Sequence, residues 1–172
     1  SQSNIKIDEL ESQLAEANGA RENAEASLAS VVDDNGGLVS QYVLLVRVLQ
    51  AYRDDDFSTA AQLYSDMNPA LITDPNVVPI LQTISQDMAE EGYQVLDQMG
   101  DAAAGSGDYA GAVAYYDKSL KLKGDNPGVL YDKAVALNAQ GQQDTANELF
   151  GEIIKNYPDS EYAVMAKEIR GY

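Results

Sequence analysis

The sequence lacks both cysteine and histidine, and these two absences remove most of the side chains that enzymes use for catalysis. Without cysteine the chain has no disulfide, no thiolate nucleophile and no thiolate metal site. Without histidine it has no Ser-His triad, no imidazole base and no histidine metal site. The remaining carboxylates show no pairing typical of a sugar-cleaving site. We therefore expect a protein that is not an enzyme and that has no cofactor and no metal site.

Basic residues are scarce as well, with 11 lysines and arginines against 28 aspartates and glutamates, a formal net charge of −17. The acids are spread along the chain, so that residues 1–40 carry −6, residues 41–92 carry −6 and residues 93–172 carry −5. Such a surface repels nucleic acid and anionic lipid. We interpret most of these acids as solubilising. The one basic group is interpreted as cations that complement a helix dipole; it consists of Lys118, Lys121, Lys123 and Lys133.

No apolar run is long enough to span a bilayer, since the best candidate, residues 38–52, is short and carries Arg47. The sequence does not begin with methionine, so a signal or membrane anchor upstream of Ser1 stays open. We expect an extracytoplasmic or membrane-tethered protein, because the first residues would suit a stalk just outside a membrane. A cytoplasmic location is the alternative.

A pattern of small and bulky residues recurs after 34 residues, a period typical of stacked helical hairpins. The small residues are expected where two paired helices cross closely, and each final ring is expected to wedge into the next hairpin. Gly107 and Gly141 are expected to reverse the chain at positive φ. The two copies read Leu96, Gly100, Gly107, Ala112, Tyr116 and Leu130, Ala134, Gly141, Ala146, Phe150.

The two copies resemble the tetratricopeptide repeat, most strongly in the run from Gly107 to Tyr116. The resemblance implies an all-α solenoid of antiparallel helical hairpins. A third, degenerate copy precedes them and reads Leu44, Val48, Ala51, Asp55, Phe57, Ala60, Tyr64. We therefore predict a solenoid over residues 38–172, with a degenerate repeat at 41–74, regular repeats at 93–126 and 127–160, and a cap helix at 160–170.

Between the degenerate copy and the regular ones, apolar residues at three- and four-residue steps predict one long helix over about residues 76–104. Gly92 lies in the middle of this stripe, where a glycine costs a helix about 1 kcal/mol. The sequence leaves open whether this segment forms one helix or two helices divided near Gly92.

The first residues carry a heptad seam, which predicts a helical or coiled-coil segment ending in a flexible joint, together residues 1–37. One interpretation is a homo-oligomer that assembles through residues 5–31, and the other is a helix folded back on the solenoid. In the first case residues 1–172 should self-associate, whereas residues 38–172 should not. A coiled coil followed by a repeat array is similar in layout to periplasmic cell-envelope coordinators. The seam reads Ile7, Leu10, Leu14, Ala17, Ala24, Leu28, Val31, with Arg21 at a seam position.

The resemblance also implies a concave groove, lined by the first helices of successive hairpins, that binds a protein or peptide. Family members that grip the carboxylate terminus of a chaperone carry lysines and asparagines there, whereas this chain carries aspartates. We therefore expect a non-catalytic adaptor or scaffold for a basic peptide, with the structural homo-oligomer as the alternative function. For each single residue, packing or a solvated helix face is the alternative. The groove candidates are Gln94, Asp97, Asp101, Tyr131, Asp132 and Asn138.

Overall fold

A computed structural model describes residues 37–171 of the chain. The predicted heptad segment, with its oligomerisation seam at residues 5–31, lies outside these described residues and stays a prediction. Residues from Leu44 onward form one compact unit, and the described residues before it are the first turns of a helix. The predicted domain boundary near residue 37 also stays a prediction.

Every regular element between residues 37 and 171 is helical, which confirms the all-α, tetratricopeptide-like fold class. A 3-10 turn, Pro69–Leu71, precedes the third helix, and a π-helical turn, Met88–Gly92, joins the third helix to the fourth. In this part of the chain no helix has the length and apolar character needed to cross a membrane. The helices are α1 (Leu38–Arg53), α2 (Phe57–Ser65), α3 (Val78–Asp87), α4 (Tyr93–Gly105), α5 (Tyr109–Leu122), α6 (Pro127–Ala139), α7 (Gln143–Asn156) and α8 (Glu161–Arg170).

The chain reversals between paired helices share one local design. Gly107 and Gly141 have φ angles of 84° and 83°, the left-handed conformation that glycine adopts without strain. Asp108 then caps α5, because its side chain accepts a hydrogen bond of 2.9 Å from the Gly111 backbone N–H. Between α1 and α2 the reversal residue is Asp55, with φ of 56°. The turns at Gly107 and Gly141 let α4 pack against α5 and α6 pack against α7.

The core consists of small residues at helix crossings with large rings beside them. Tyr116 and Phe150 are 2% and 1% exposed, and they belong to two neighbouring clusters. The Tyr116 cluster joins α5 to α6, and the Phe150 cluster joins α6, α7 and α8. Close crossings let these rings be buried completely. The small residues with no more than 1% exposure are Ala60, Ala61, Ala112, Ala134, Ala146, Ala163 and Ala166.

The helical path is continuous from Val78 to Gly105, with the π turn at the position where the sequence left a division open. Gly92 closes this turn and is buried. A Cβ atom at Gly92 would lie 2.7 Å from Met88 Sδ and 3.3 Å from Leu122 Cδ1. The glycine therefore allows α5 to pack closely against the widened turn.

Candidate functional site

Three carboxylates meet where α4 faces α6. Asp97 and Asp101 are four residues apart on α4 and so lie on one face of that helix. Asp132 on α6 completes the group, and one carboxylate oxygen from each residue lies within 4.8 Å of the others. Asp97 and Asp132 are half-buried, whereas Asp101 is exposed. We call this group the aspartate triad.

The triad is electrostatically unfavourable, because burial and the neighbouring negative charges both disfavour the ionised carboxylates and so raise their pKa values. Burial, followed by the charge of Asp101, raises the pKa of Asp97 to about 6. Burial, followed by the charges of Asp101 and Asp97, raises the pKa of Asp132 to about 6. The Oδ1 atom of Asp97 is buried and accepts no hydrogen bond. Carboxylates crowded in this way favour a positively charged neighbour.

Three ion pairs of the described residues use other carboxylates and so do not supply that neighbour. Lys133, next to Asp132 in sequence, reaches Asp117 at 2.6 Å instead. Two further ion pairs are Arg53–Asp54 and Lys118–Asp66. The triad thus keeps its negative charge toward solvent.

Tyr116 fixes one member of the triad from inside the core. Its ring crosses α4 at Gly100, where a Cβ atom would lie 2.4 Å from Tyr116 Cε1. Its hydroxyl donates a hydrogen bond to Asp101 Oδ1 at 2.8 Å. Burial, and then this bond to Asp101, raise the pKa of the Tyr116 hydroxyl. Tyr116 therefore positions Asp101, a role that the sequence analysis missed because it treated Tyr116 as a packing residue.

A sequence signal for this pair does exist in the comparison of the two repeats. The residues 34 positions after Asp101 and Tyr116 are Val135 and Phe150. Both polar partners are thus replaced together by apolar residues in the next copy. Val135 is 41% exposed, so the surface that is acidic on α4 becomes apolar on α6.

The other groove candidates lie outside the triad. Gln94 is exposed and donates a hydrogen bond to the Glu90 carbonyl of its own helical segment. Tyr131 is half-buried, and its ring centroid lies 5.7 Å from that of Phe150 and 5.8 Å from that of Tyr162. Asn138 is exposed further along α6. The structure thus brings together three of the six candidates.

Tyr162 on α8 is a further residue of this region that the sequence analysis placed only on the cap helix. Burial, then Glu161 and then Asp132 and Asp97, raise the pKa of its hydroxyl, so the triad acts on it electrostatically. A Cβ atom at Gly128 would lie 3.0 Å from the Tyr162 hydroxyl oxygen. Gly128 therefore lets Tyr162 approach the start of α6.

Among the described residues, the triad is the group whose side chains could hold a metal ion. Carboxylate oxygens suit hard cations such as Ca²⁺, but Ca²⁺ takes six to eight oxygen ligands. Three aspartates supply only part of such a set, so the donor atoms do not specify a metal. The expectation of no metal site stays a prediction.

The comparison with known families agrees with this architecture. Residues 103–168, which include α5, α6, α7 and most of α8, match the family described as tetratricopeptide repeat. Residues 103–168 of the chain thus contain tetratricopeptide repeats. No curated protein matches the chain. Tetratricopeptide repeats are generally non-catalytic modules of protein–protein interaction, so the match indicates an interaction role for residues 103–168. Asp132 and Tyr162 lie within the matched repeats, whereas Asp97 and Asp101 precede them.

Proposed function

We propose that the chain is an adaptor that binds a basic peptide at the aspartate triad. The observation that carries this proposal is the meeting of three carboxylates within 4.8 Å, on helices of successive hairpins. A lysine or arginine side chain placed among them would replace mutual repulsion by attraction.

The surroundings of the triad add a preference for an apolar residue near the bound cation. Val135 offers an exposed apolar surface on α6. Tyr131 and Tyr162 lie close together on α6 and α8, and tyrosines give contact area with little loss of side-chain entropy. A peptide with a basic residue beside an aliphatic or aromatic one fits this arrangement. An acidic peptide terminus does not, because it would add to the negative charge.

The test is a selection of random peptides on the immobilised 172-residue chain, followed by fluorescence polarisation with the selected sequences. We expect enrichment of lysine or arginine next to an apolar residue. Replacement of the ligand's basic residue by norleucine should weaken binding about tenfold, as expected for a charge pair that is partly desolvated. Amidation of the peptide's carboxyl terminus should have little effect.

Two triple variants separate a local role of the triad from the general acidity of the chain. Each neutralises three carboxylates, so both have the same net charge. In a double-mutant cycle, the norleucine substitution should have no further effect on the triad variant and its full effect on the control. Equal loss of affinity in both variants would contradict the proposal. The triad variant is Asp97→Asn, Asp101→Asn, Asp132→Asn, and the control changes exposed acids elsewhere, Asp144→Asn, Glu152→Gln, Asp159→Asn.

The heptad seam supports a second proposal, that the chain forms a homo-oligomer through residues 5–31. An upstream membrane tether belongs to the same proposal. Sedimentation of residues 1–172 beside residues 38–172 tests the oligomer, because only the longer chain should self-associate. A monomeric 172-residue chain would contradict it.

A further inference from the structure

The helix α1 carries apolar side chains on two faces. One face is buried through Leu45, Val48 and Ala51. The other face keeps a row of apolar side chains in solvent over nearly three turns, or about 15 Å. A helix that is apolar on all sides is normally covered on all sides, so this row calls for a partner. We call it the α1 stripe; it consists of Val39, Val43, Val46 and Leu49, with exposures of 37%, 54%, 62% and 40%.

The charge of α1 is opposite to that of the whole chain. The helix contains Arg47 and Arg53 but no aspartate or glutamate, so it carries +2 in a chain with a net charge of −17. Both arginines are exposed, and Arg47 directly follows Val46 of the stripe. Arg53 also contacts Asp54 of its own chain, in an exposed pair at 3.4 Å. An apolar row beside arginines suits a partner that is both apolar and acidic.

The heptad segment that precedes α1 in the sequence has this chemistry. Residues 5–31 contain six acids and two basic residues, which gives a charge of −4 beside the apolar seam. The large side chains of the seam are concentrated in its first half, at Ile7, Leu10 and Leu14. This half is also acidic, since residues 5–17 contain four acids and one lysine, a charge of −3. It therefore complements the α1 stripe in both charge and apolar character.

The lengths favour a second copy of the chain over the chain's own segment. As a helix, the seam at residues 7–31 would be about 36 Å long, more than twice the length of the α1 stripe. If it folded back at Gly37, its weaker half, residues 21–31, would cover the stripe. Its strong half, residues 7–14, would extend beyond the end of α1 at Arg53. A segment from a second copy is not restricted in this way and can present its strong half to the stripe.

We propose that residues 5–17 of one copy pack on the α1 stripe of a second copy, with their acids beside Arg47. This inference rests on the proposed homo-oligomer through residues 5–31 and identifies the surface that the segment contacts. As helices, residues 7–17 and the stripe are equally long, at about 15 Å. Reciprocal packing of two copies gives a twofold dimer. Residues 38–172 have the stripe but lack the segment, so they stay monomeric.

Cysteine cross-linking of the 172-residue chain tests the contact, because the chain has no cysteine of its own. Chains with Leu10→Cys are equilibrated with mass-tagged chains that carry Val43→Cys or Val46→Cys, since the two helices can run in either direction, and are then oxidised. We expect a mixed disulfide dimer with at least one of these two partners. The matched control is Val164→Cys on α8, at a valine that is 55% exposed. It should give at least tenfold less mixed dimer.

The other occupants of the stripe give different products. Predominant disulfides between two Leu10→Cys chains would show that the segments pair with each other, which overturns this inference and leaves the homo-oligomer intact. A disulfide within single chains of the double variant Leu10→Cys, Val43→Cys would show that the stripe is covered by the chain's own segment, and would also overturn it. A 172-residue chain that sediments as a monomer would contradict both this inference and the homo-oligomer.

Surface variants of the same chain test the apolar part of the contact. Val43→Ser with Val46→Ser should weaken self-association about tenfold, because the interface loses two valines that it would bury. Val164→Ser with Met165→Ser, at exposed residues of α8, should leave self-association unchanged. Sedimentation over a range of concentrations measures both pairs. Equal dissociation constants for the two pairs would overturn the placement on α1.

A charge reversal tests the role of the arginine. Arg47→Glu should weaken self-association about tenfold, because it places a carboxylate against the acids of the segment. Lys155→Glu on α7 makes the same change in net charge and should have little effect. An equal loss in both variants would show a response to overall charge alone and would contradict the contact at Arg47.

Discussion

The Tyr116 hydroxyl donates a 2.8 Å hydrogen bond to Asp101 Oδ1, so a core tyrosine holds an acidic residue of the surface in place. Tyr116 is 2% exposed, and its ring packs over Gly100, where the hydroxyl can reach Asp101 near the surface. This bond links the packing of the first regular hairpin to the geometry of the proposed peptide site.

Tyr116→Phe should therefore change both stability and the position of Asp101. We expect a loss of about 1 kcal/mol in the free energy of unfolding, because Asp101 is exposed and water can replace part of the bond. Urea unfolding of Tyr116→Phe, Asp101→Asn and the double variant measures the coupling. Additive losses would mean that the two groups do not interact in solution.

Gly100→Ala should destabilise the protein, since its Cβ would lie 2.4 Å from Tyr116 Cε1 and the buried ring would have to move. Overpacking of this kind costs about 1–3 kcal/mol. Gly105→Ala is the matched control on the same helix, because a Cβ there meets nothing within 4 Å. The control should be neutral or stabilising by about 0.5–1 kcal/mol. Similar unfolding midpoints for the two variants would contradict the close crossing.

Neutralising Asp97 or Asp132 should stabilise the protein at neutral pH. Their pKa values of about 6 lie above the ordinary 3.8, so the folded chain binds more protons than the unfolded chain between these values. The contribution of these two groups to stability should fall as pH rises from about 4 to about 6 and then stay level. After allowance for solvent screening, Asp97→Asn and Asp132→Asn should each raise the free energy of unfolding by about 1 kcal/mol at pH 7.5. At pH 4 the two substitutions should change it by almost nothing.

The measurement is urea unfolding at both pH values, with Asp159→Asn as the control at an exposed acid. Destabilisation by both triad variants at pH 7.5 would contradict the electrostatic strain. It would indicate that a cation already holds the three carboxylates together.

Binding of a basic peptide at the triad should itself depend on pH. A bound ammonium or guanidinium group favours the ionised carboxylates, so it must displace protons from Asp97 and Asp132 below about pH 6. Affinity should rise between pH 5 and 7 and level off above that range. Fluorescence polarisation at fixed ionic strength measures this, and the triad variant should show a flat profile. A wild-type profile equally flat would place the peptide elsewhere.

The sequence was sufficient to predict the helical hairpins, because the residues that each hairpin needs recur in it. Gly107 and Gly141 stand where the chain reverses, and the small residues of the repeat stand where the helices cross. Because every hairpin needs a turn residue and small crossing residues at the same positions, these residues recur in the sequence every 34 positions. The fold class could therefore be predicted without a structure.

The site could be predicted only in part. Asp97 and Asp101 lie on one helix, so their common face followed from spacing, and Asp132 followed from the family's groove. Tyr116 and Tyr162 reach this region from α5 and α8, and such contacts depend on helix packing angles that spacing does not specify.

The π turn at Met88–Gly92 also determines which residues face the core in the helical segment from Val78 to Gly105. Its buried stripe advances in four-residue steps, through Ile84, Met88, Gly92, Leu96 and Gly100. In a regular α-helix each such step overshoots a full turn by about 40°, so the stripe would wind around the axis. One wide turn takes up the additional residue and returns the stripe toward the core. The direction in which Asp97 and Asp101 face is thus set before α4 begins, in the π turn at Met88–Gly92.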